Sequence, residues 1–226
     1  MVEKPRVLVF ASGSKDGGGS GLLHLVLNAQ TGVLGANIVG VVSNYKAGGV
    51  RKIAAKYEVP FYHFIGPFTA EMYQSLAQAS RANWFLLSGW LKFVRGLPAD
   101  KTINIHPGDT EKFGGPGLYG HHVHEAVIKA FQAGEVTCSC VTMHFVTDGA
   151  TKAEYDRGPV FFKYPVGIEP DDTAETLAAR VNRYEHGWQS YMTNLVVRGD
   201  IWLTGMNQVM VPAWYRSHPG CPKEVI

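Results

Sequence analysis

Cysteine is scarce in this 226-residue chain: Cys138, Cys140 and Cys221 are an odd number with no metal-ligand spacing. That usage points to a reducing compartment, the cytoplasm. Cys138 and Cys140 alternate on a strand-like run, which predicts two small core residues rather than a redox pair. No apolar run reaches the roughly 18–20 residues that a membrane span needs. Met1 to Arg6 leads straight into a strand-like segment without a signal-peptide pattern. An excess of one charge is also missing. The net charge is +2, only 18% of residues are charged, and no block of like charge occurs. Neither nucleic acid nor a membrane is therefore an expected partner. His121, His122 and His124 invite a metal reading, but His122 and His124 lack the i, i+4 spacing of helical ligands and no acid or thiol set accompanies them, so no metal is expected. His124 reads as a helix residue near the site and His121 as a loop residue. With 46% hydrophobic residues, the chain can bury an ordinary core.

Short apolar runs alternate with helical patterns. Arg6–Ala11, 38–43, 84–88 and 102–105 read as strands, and 22–28, 50–57, 69–80 and 122–133 as helices, with Thr69 a plausible cap. A short extended piece lies at 59–62. Val136–Val146 and Gly158–Val166 read as two strands able to pair, and Asp172–Val197 as a long closing helix. The alternation predicts an α/β fold, a mostly parallel twisted sheet with helices on both faces. No repeat or low-complexity linker interrupts it. One domain is expected over residues 1–199, with residues 200–226 an aromatic tail, read as a hairpin, packed on the same domain.

Three segments carry chemistry. Ile103-Asn104-Ile105-His106-Pro107-Gly108 puts an amide and an imidazole two apart on a strand, where they share a face. An amide can donate to a developing oxyanion, and an imidazole can pass a proton near neutrality. A strand end with a local Asn and a structural His fits the same residues. The Gly-rich turn Ser12–Gly21, leading from strand to helix, exposes backbone N–H groups at a helix N-terminus and can hold a phosphate. It matches neither a P-loop nor a dinucleotide fingerprint, and a surface loop that binds nothing is the alternative. The loop from Thr147 to Val160 carries Asp148 and Asp156, either of which can orient an imidazole.

Together these segments resemble the phosphoribosylglycinamide formyltransferases, folate-dependent enzymes of purine biosynthesis, over about residues 6–197. The resemblance rests on Asn104-Ile105-His106-Pro107, on His144-Phe145-Val146-Thr147-Asp148…Asp156-Arg157-Gly158-Pro159-Val160, and on the order of the three signatures. It implies a Rossmann-like formyltransferase fold with Asn104, His106 and Asp156 as the catalytic set, choosing Asp156 over Asp148. It implies that Gly18, Gly19, Ser20 and Gly21 hold the acceptor's phosphate, that Arg183 and Glu185 contact the acceptor, and that Trp90, Leu91, Lys92, Phe93, Val94 and Asp148 lie at the folate site. The donor implied is 10-formyltetrahydrofolate and the acceptor is glycinamide ribonucleotide, both small molecules, handled by a monomer or homodimer. The departures are extra residues around Lys15-Asp16-Gly17, Gly21 where an Asn is usual, a longer loop near Ala150–Ala153, and Gly108-Asp109-Thr110-Glu111 where Ser-Leu-Leu-Pro is usual.

In the implied reaction the Asn104 amide and a protonated His106 both donate to the oxyanion. Asp156 keeps His106 charged and relays a proton from the attacking amine to the departing folate nitrogen. A side chain at Gly19 is expected to crowd the bound phosphate. The rivals are a formyltetrahydrofolate hydrolase, a formyltransferase acting on another amine, and a noncatalytic phosphate-ligand module. The hydrolases usually carry an extra N-terminal domain, whereas the first strand here starts close to Met1. A tRNA-directed formyltransferase is disfavoured by the lack of a basic C-terminal RNA-binding domain.

Overall fold

The computed structural model describes residues 3–148 and 154–225. Five strands run parallel: β1 (Arg6–Phe10), β2 (Asn37–Ser43), β3 (Phe61–His63), β4 (Trp84–Ser88) and β5 (Thr102–His106). Strands β6 (Cys138–Phe145) and β7 (Val160–Gly167) complete the sheet in antiparallel pairing, and the order is β3-β2-β1-β4-β5-β6-β7. The central strands are apolar on both faces because both faces are covered.

On one face Val7, Val9, Leu86, Ile103 and Ile105 meet α1 (Ser20–Thr31), α2 (Gly49–Lys56), α5 (His121–Gln132) and α6 (Ala174–Val197). On the other, Leu8, Phe10, Phe85 and Leu87 meet α3 (Ala70–Ser80) and the segment after β4. The mostly parallel, doubly covered sheet expected from the sequence is the one observed. Thr69 occupies the N-cap position of α3, but its hydroxyl caps no backbone N–H. The long α6 starts at Ala174, where Thr173 and Thr176 form a reciprocal capping box and Asp172 pairs with Arg180.

Residues 202–203 and 209–210 form a small hairpin, β8–β9. Beyond it Tyr215 is fully buried and donates its phenol to the Phe161 carbonyl at 2.8 Å. A one-turn helix, α4 (Thr110–Phe113), falls in the run after β5 where the sequence showed only loop. The strand expected from Val136 starts only at Cys138, which is exposed while Cys140 is buried. The expectation that both thiols lie in the core therefore holds for Cys140 alone. The lengthened loop around Ala150–Ala153 lies outside the described residues.

Strand order places the site. The chain goes from β1 outward to β2 and β3, then crosses back to lay β4 on the other side of β1. The carboxyl ends of β1 and β4 therefore flank a topological switch point, where open α/β sheets leave a crevice.

Candidate active site

A cavity of about 580 Å³ opens at that switch point. Its floor is β5. Thr102, Asn104 and His106 point away from the face that buries Ile103 and Ile105. Strand β6 lies antiparallel alongside, with Asn104 opposite His144 and His106 opposite Thr142. This register brings four buried polar groups together, because Asn104, His106, His144 and Asp156 are each 9% exposed or less.

Asn104 Nδ2 donates to Asp156 Oδ1 at 3.0 Å and lies 3.1 Å from His144 Nε2. His144 Nδ1 lies 2.9 Å from the Phe145 carbonyl, which can only accept. Its Nε2 is then the acceptor for Asn104. His106 Nε2 likewise donates to the Phe113 carbonyl at 2.9 Å, so Nδ1 faces Asp156 Oδ2 across 3.5 Å. That carboxylate oxygen is buried and has no hydrogen-bond partner.

Asp156 sits at φ +59°, a left-handed conformation that Asp tolerates better than most residues. Two residues on, a Cβ at Gly158 would lie 1.8 Å from the Phe145 carbonyl oxygen, so the Asp-x-Gly spacing has a steric cause.

Burial is the largest influence on both titrating partners. It pushes the His106 imidazole below its ordinary value, although the Asp156 carboxylate and the Phe113 carbonyl oppose it. At Asp156 burial works the other way, but His144, His106 and the Gly115 amide outweigh it and hold the carboxyl below its usual range. Each partner thus favours the charged form of the other while burial opposes both charges. Asp156 pulls the imidazole toward its charged form, as expected, against the hydration it loses on burial. Asp148 is exposed and accepts from the Gly96 N–H at 3.2 Å, away from this cluster.

The second part of the cavity is the start of α1. Gly18 and Gly19 adopt φ +79° and +92°, turning the chain into a helix that has neither a side-chain cap nor an acid in its first turn. Gly18, Gly19, Ser20 and Gly21 all line the cavity. The first backbone N–H groups of a helix have no intrahelical partner, so this end is an anion cradle. The extra residues close on themselves: the Ser14 N–H donates to the Gly17 carbonyl at 3.0 Å, and Lys15 to Gly17 stay off the cavity wall. A Cβ at Gly19 would meet Val50 Cγ2 at 3.0 Å and Ile53 Cδ1 at 3.1 Å. A side chain there also strains the loop against α2.

Across from α1, helix α6 turns Ala178, Asn182, Glu185, His186 and Gln189 toward the cavity. Their i, i+4, i+7, i+8 and i+11 spacing follows one helix face. Arg183 is one step round the helix, exposed and off the wall, while Asn182 lines it. Burial pushes the Glu185 carboxyl up to about 7, against the pull of the Asn182 amide at 3.3 Å.

Trp90 and Leu91 also line the cavity, while Lys92, Phe93 and Val94 line a small adjoining cleft shared with Asn104, Tyr155 and Asp156. The Trp90 ring packs behind the cavity, with its Nε1 donating to Tyr73 Oη at 3.0 Å. Its carbonyl accepts from Tyr155 Oη at 3.1 Å. His121 opens α5 rather than lying in a loop, and both it and His124 reach the wall. Among the described residues no cluster of His, Cys, Asp or Glu has the arrangement of a metal site.

Sequence reasoning left His144, Asn182 and the Phe113 carbonyl unassigned. Only the helix-face spacing of Asn182 with Glu185, His186 and Gln189 was a readable signal.

A doubly wound sheet with an amide, an imidazole and a carboxylate beside an anion cradle has the layout of a group-transfer site. Residues 5–194 match the formyl transferase family, and the chain belongs to it. A curated phosphoribosylglycinamide formyltransferase of Arabidopsis thaliana, described as chloroplastic, is 31% identical over 81% of this chain and 62% of its own length. The chain thus spans about three fifths of that relative. The Bacillus subtilis phosphoribosylglycinamide formyltransferase is 27% identical over 80% of this chain and 88% of its own length. The crystal structure of the Anaplasma phagocytophilum phosphoribosylglycinamide formyltransferase superposes with a TM-score of 0.72 at 26% identity, covering 93% of this chain and 96% of that one. No helix among the described residues is long and apolar enough to cross a membrane.

Proposed function

We propose that this protein transfers the formyl group of 10-formyltetrahydrofolate to the amine of 5-phosphoribosylglycinamide, within purine biosynthesis. One observation carries the reading: the uncapped start of α1 and the Asn104–His106–Asp156 cluster open onto the same cavity. Its wall thus offers an anion site and a proton-accepting pair to one bound molecule.

The acceptor enters as a phosphate monoester bearing an ammonium group. Gly18 to Gly21 bind its phosphate through backbone N–H groups, Asn182 lies beside that site, and Glu185 takes the ribose hydroxyls. The folate lies along Trp90 to Val94, with Tyr155 closing its edge. The ammonium gives one proton to His106 Nδ1, which Asp156 Oδ2 then holds as an ion pair. The freed amine attacks the formyl carbon. Negative charge gathers on the formyl oxygen, where the Asn104 amide donates to it and the now charged His106 lies beside it. Asn104 gives up its bond to Asp156 in doing so. The amine's second proton passes to the folate nitrogen as the carbon–nitrogen bond to folate breaks, and the first proton leaves to solvent. No metal takes part in this scheme. Residues 1–199 carry it, residues 200–226 brace it, and the three free thiols fit a cytoplasmic setting.

Assay of the purified protein with 10-formyltetrahydrofolate, with and without the ribonucleotide, tests the reading. Tetrahydrofolate released only with the ribonucleotide is the expected result. Release at the same rate in its absence would make the protein a hydrolase, whose water needs no anion cradle.

Two smaller predictions arise here. Inorganic phosphate should shift the backbone amide resonances of Ser20, Gly21 and Leu22, whereas tetrahydrofolate should leave them in place. Asp148→Asn should change kcat/KM by less than about threefold, since an exposed carboxylate bound to one backbone amide contributes little. A larger loss there than at Asp156 would reverse the choice between the two acids.

A further inference from the structure

The run Gly108-Asp109-Thr110-Glu111 departs from the family pattern, and it contains α4, the four-residue helix that reaches the catalytic imidazole. We propose that the Asp109–Lys163 ion pair is a positioning device that holds α4 and, through the Phe113 carbonyl, fixes the orientation of His106. This rests on the formyl-transfer reading for its kinetic consequence but not for its geometry.

A single helical turn does not stand alone, because nucleation costs more than one turn returns. Here α4 is pinned at both ends. Asp109 Oδ1 accepts from the Glu111 N–H at 3.1 Å, capping the turn, while Asp109 Oδ2 takes Lys163 Nζ at 2.8 Å. Lys163 is itself fixed: it lies opposite Thr142 in the sheet, and its N–H donates to the Gly220 carbonyl at 2.9 Å. At the other end Arg157, the neighbour of Asp156, donates to the Thr110 and Glu111 carbonyls at 3.1 and 3.0 Å.

The turn so held ends at Phe113, whose carbonyl accepts from His106 Nε2. That bond makes Nε2 the protonated nitrogen and turns Nδ1 toward Asp156 Oδ2. If α4 loosens, the ring loses this partner and its second nitrogen no longer faces the carboxylate. The pair is only partly exposed, its side chains being 33% and 20% accessible, so solvent does not readily replace it.

The test combines kinetics with nitrogen-15 spectroscopy of the His106 ring. Lys163→Met and Asp109→Ala should each lower kcat about 10-fold while both KM values stay within about twofold, because the anion cradle and the Trp90 segment are untouched. Lys163→Arg should restore kcat to within about threefold. The double variant should be no worse than either single change, as expected for two residues acting through one contact. In the wild type the ring should show a single Nε2–H tautomer. In Lys163→Met and Asp109→Ala the proton should divide between Nδ1 and Nε2. Should Lys163→Met fail to fold, Asp109→Asn keeps a capping oxygen, removes the ion pair, and carries the same expectations. Unchanged kcat, or lost kcat with an unchanged tautomer, would overturn the proposal. Wild-type protein that does not formylate the ribonucleotide would overturn the functional reading instead, and the tautomer measurement would still decide the brace.

Discussion

Replacing His106 by alanine is expected to lower kcat at least about 100-fold with the protein still folded, a loss of about 2.7 kcal/mol of transition-state stabilisation. Two losses combine. The site loses its first proton acceptor, Nδ1, which faces Asp156 Oδ2 at 3.5 Å. It also loses the positive charge that lies beside the developing oxyanion. Binding should survive, because the cavity wall that takes the phosphate belongs to α1 and the wall that takes the folate belongs to the segment after β4. Steady-state kinetics with both substrates, and equilibrium binding of tetrahydrofolate, would separate the terms. Turnover within about threefold of wild type would remove His106 from the mechanism. A matching fall in folate affinity would show a collapsed site rather than lost chemistry.

The legible and illegible parts of this molecule divide by the range of the interaction. Strands β1, β2 and β4 could be read because a parallel strand buried on both faces is a continuous apolar run. The parity of β5 put Asn104 and His106 on one face, and the structure leaves them there. Helix α4 could not be read: Thr110-Glu111-Lys112-Phe113 is too short to show a period, and what stabilises it is an ion pair to a residue 54 positions away. His144 could not be assigned for the same reason. It meets Asn104 only through the antiparallel register of β5 with β6.

The residues alone left Asp148 and Asp156 equivalent, and likeness to a family chose between them. The structure shows the physical difference, a buried acid at positive φ beside two imidazoles against an exposed one on a backbone amide. Arg183 lies one residue from the wall-lining Asn182, which on a helix is about 100° of rotation, and no spacing in the sequence shows that difference. The pull of burial on His106 could not be read at all, because the hydration lost is a property of the folded site, not of the residue types.

Asp156→Asn should match the alanine change at His106 in kinetic effect, at least about 100-fold in kcat, by a different route. Asparagine keeps the shape and tolerates the left-handed backbone at φ +59°, so the loop should hold its course. What goes is the negative charge that favours the imidazolium. His106 already lies below its ordinary value through burial, and losing the opposing carboxylate drives it lower still. The imidazole then holds the amine's proton less well. Following the His106 ring by NMR as pH is lowered should show its titration moving to more acid pH in the variant, and a shift the other way would contradict the assignment.

Stability supplies an independent check with a definite sign. The Asp156 carboxyl is held below its usual range in the folded protein. Its contribution is therefore fully present above the unfolded value of about 3.9 and is lost as pH falls from there through the folded value. Wild type should melt above Asp156→Asn at neutral pH, with the gap closing as the pH falls below about 4. A gap that stayed constant into acid would mean that Asp156 is not an ionised partner of the two histidines.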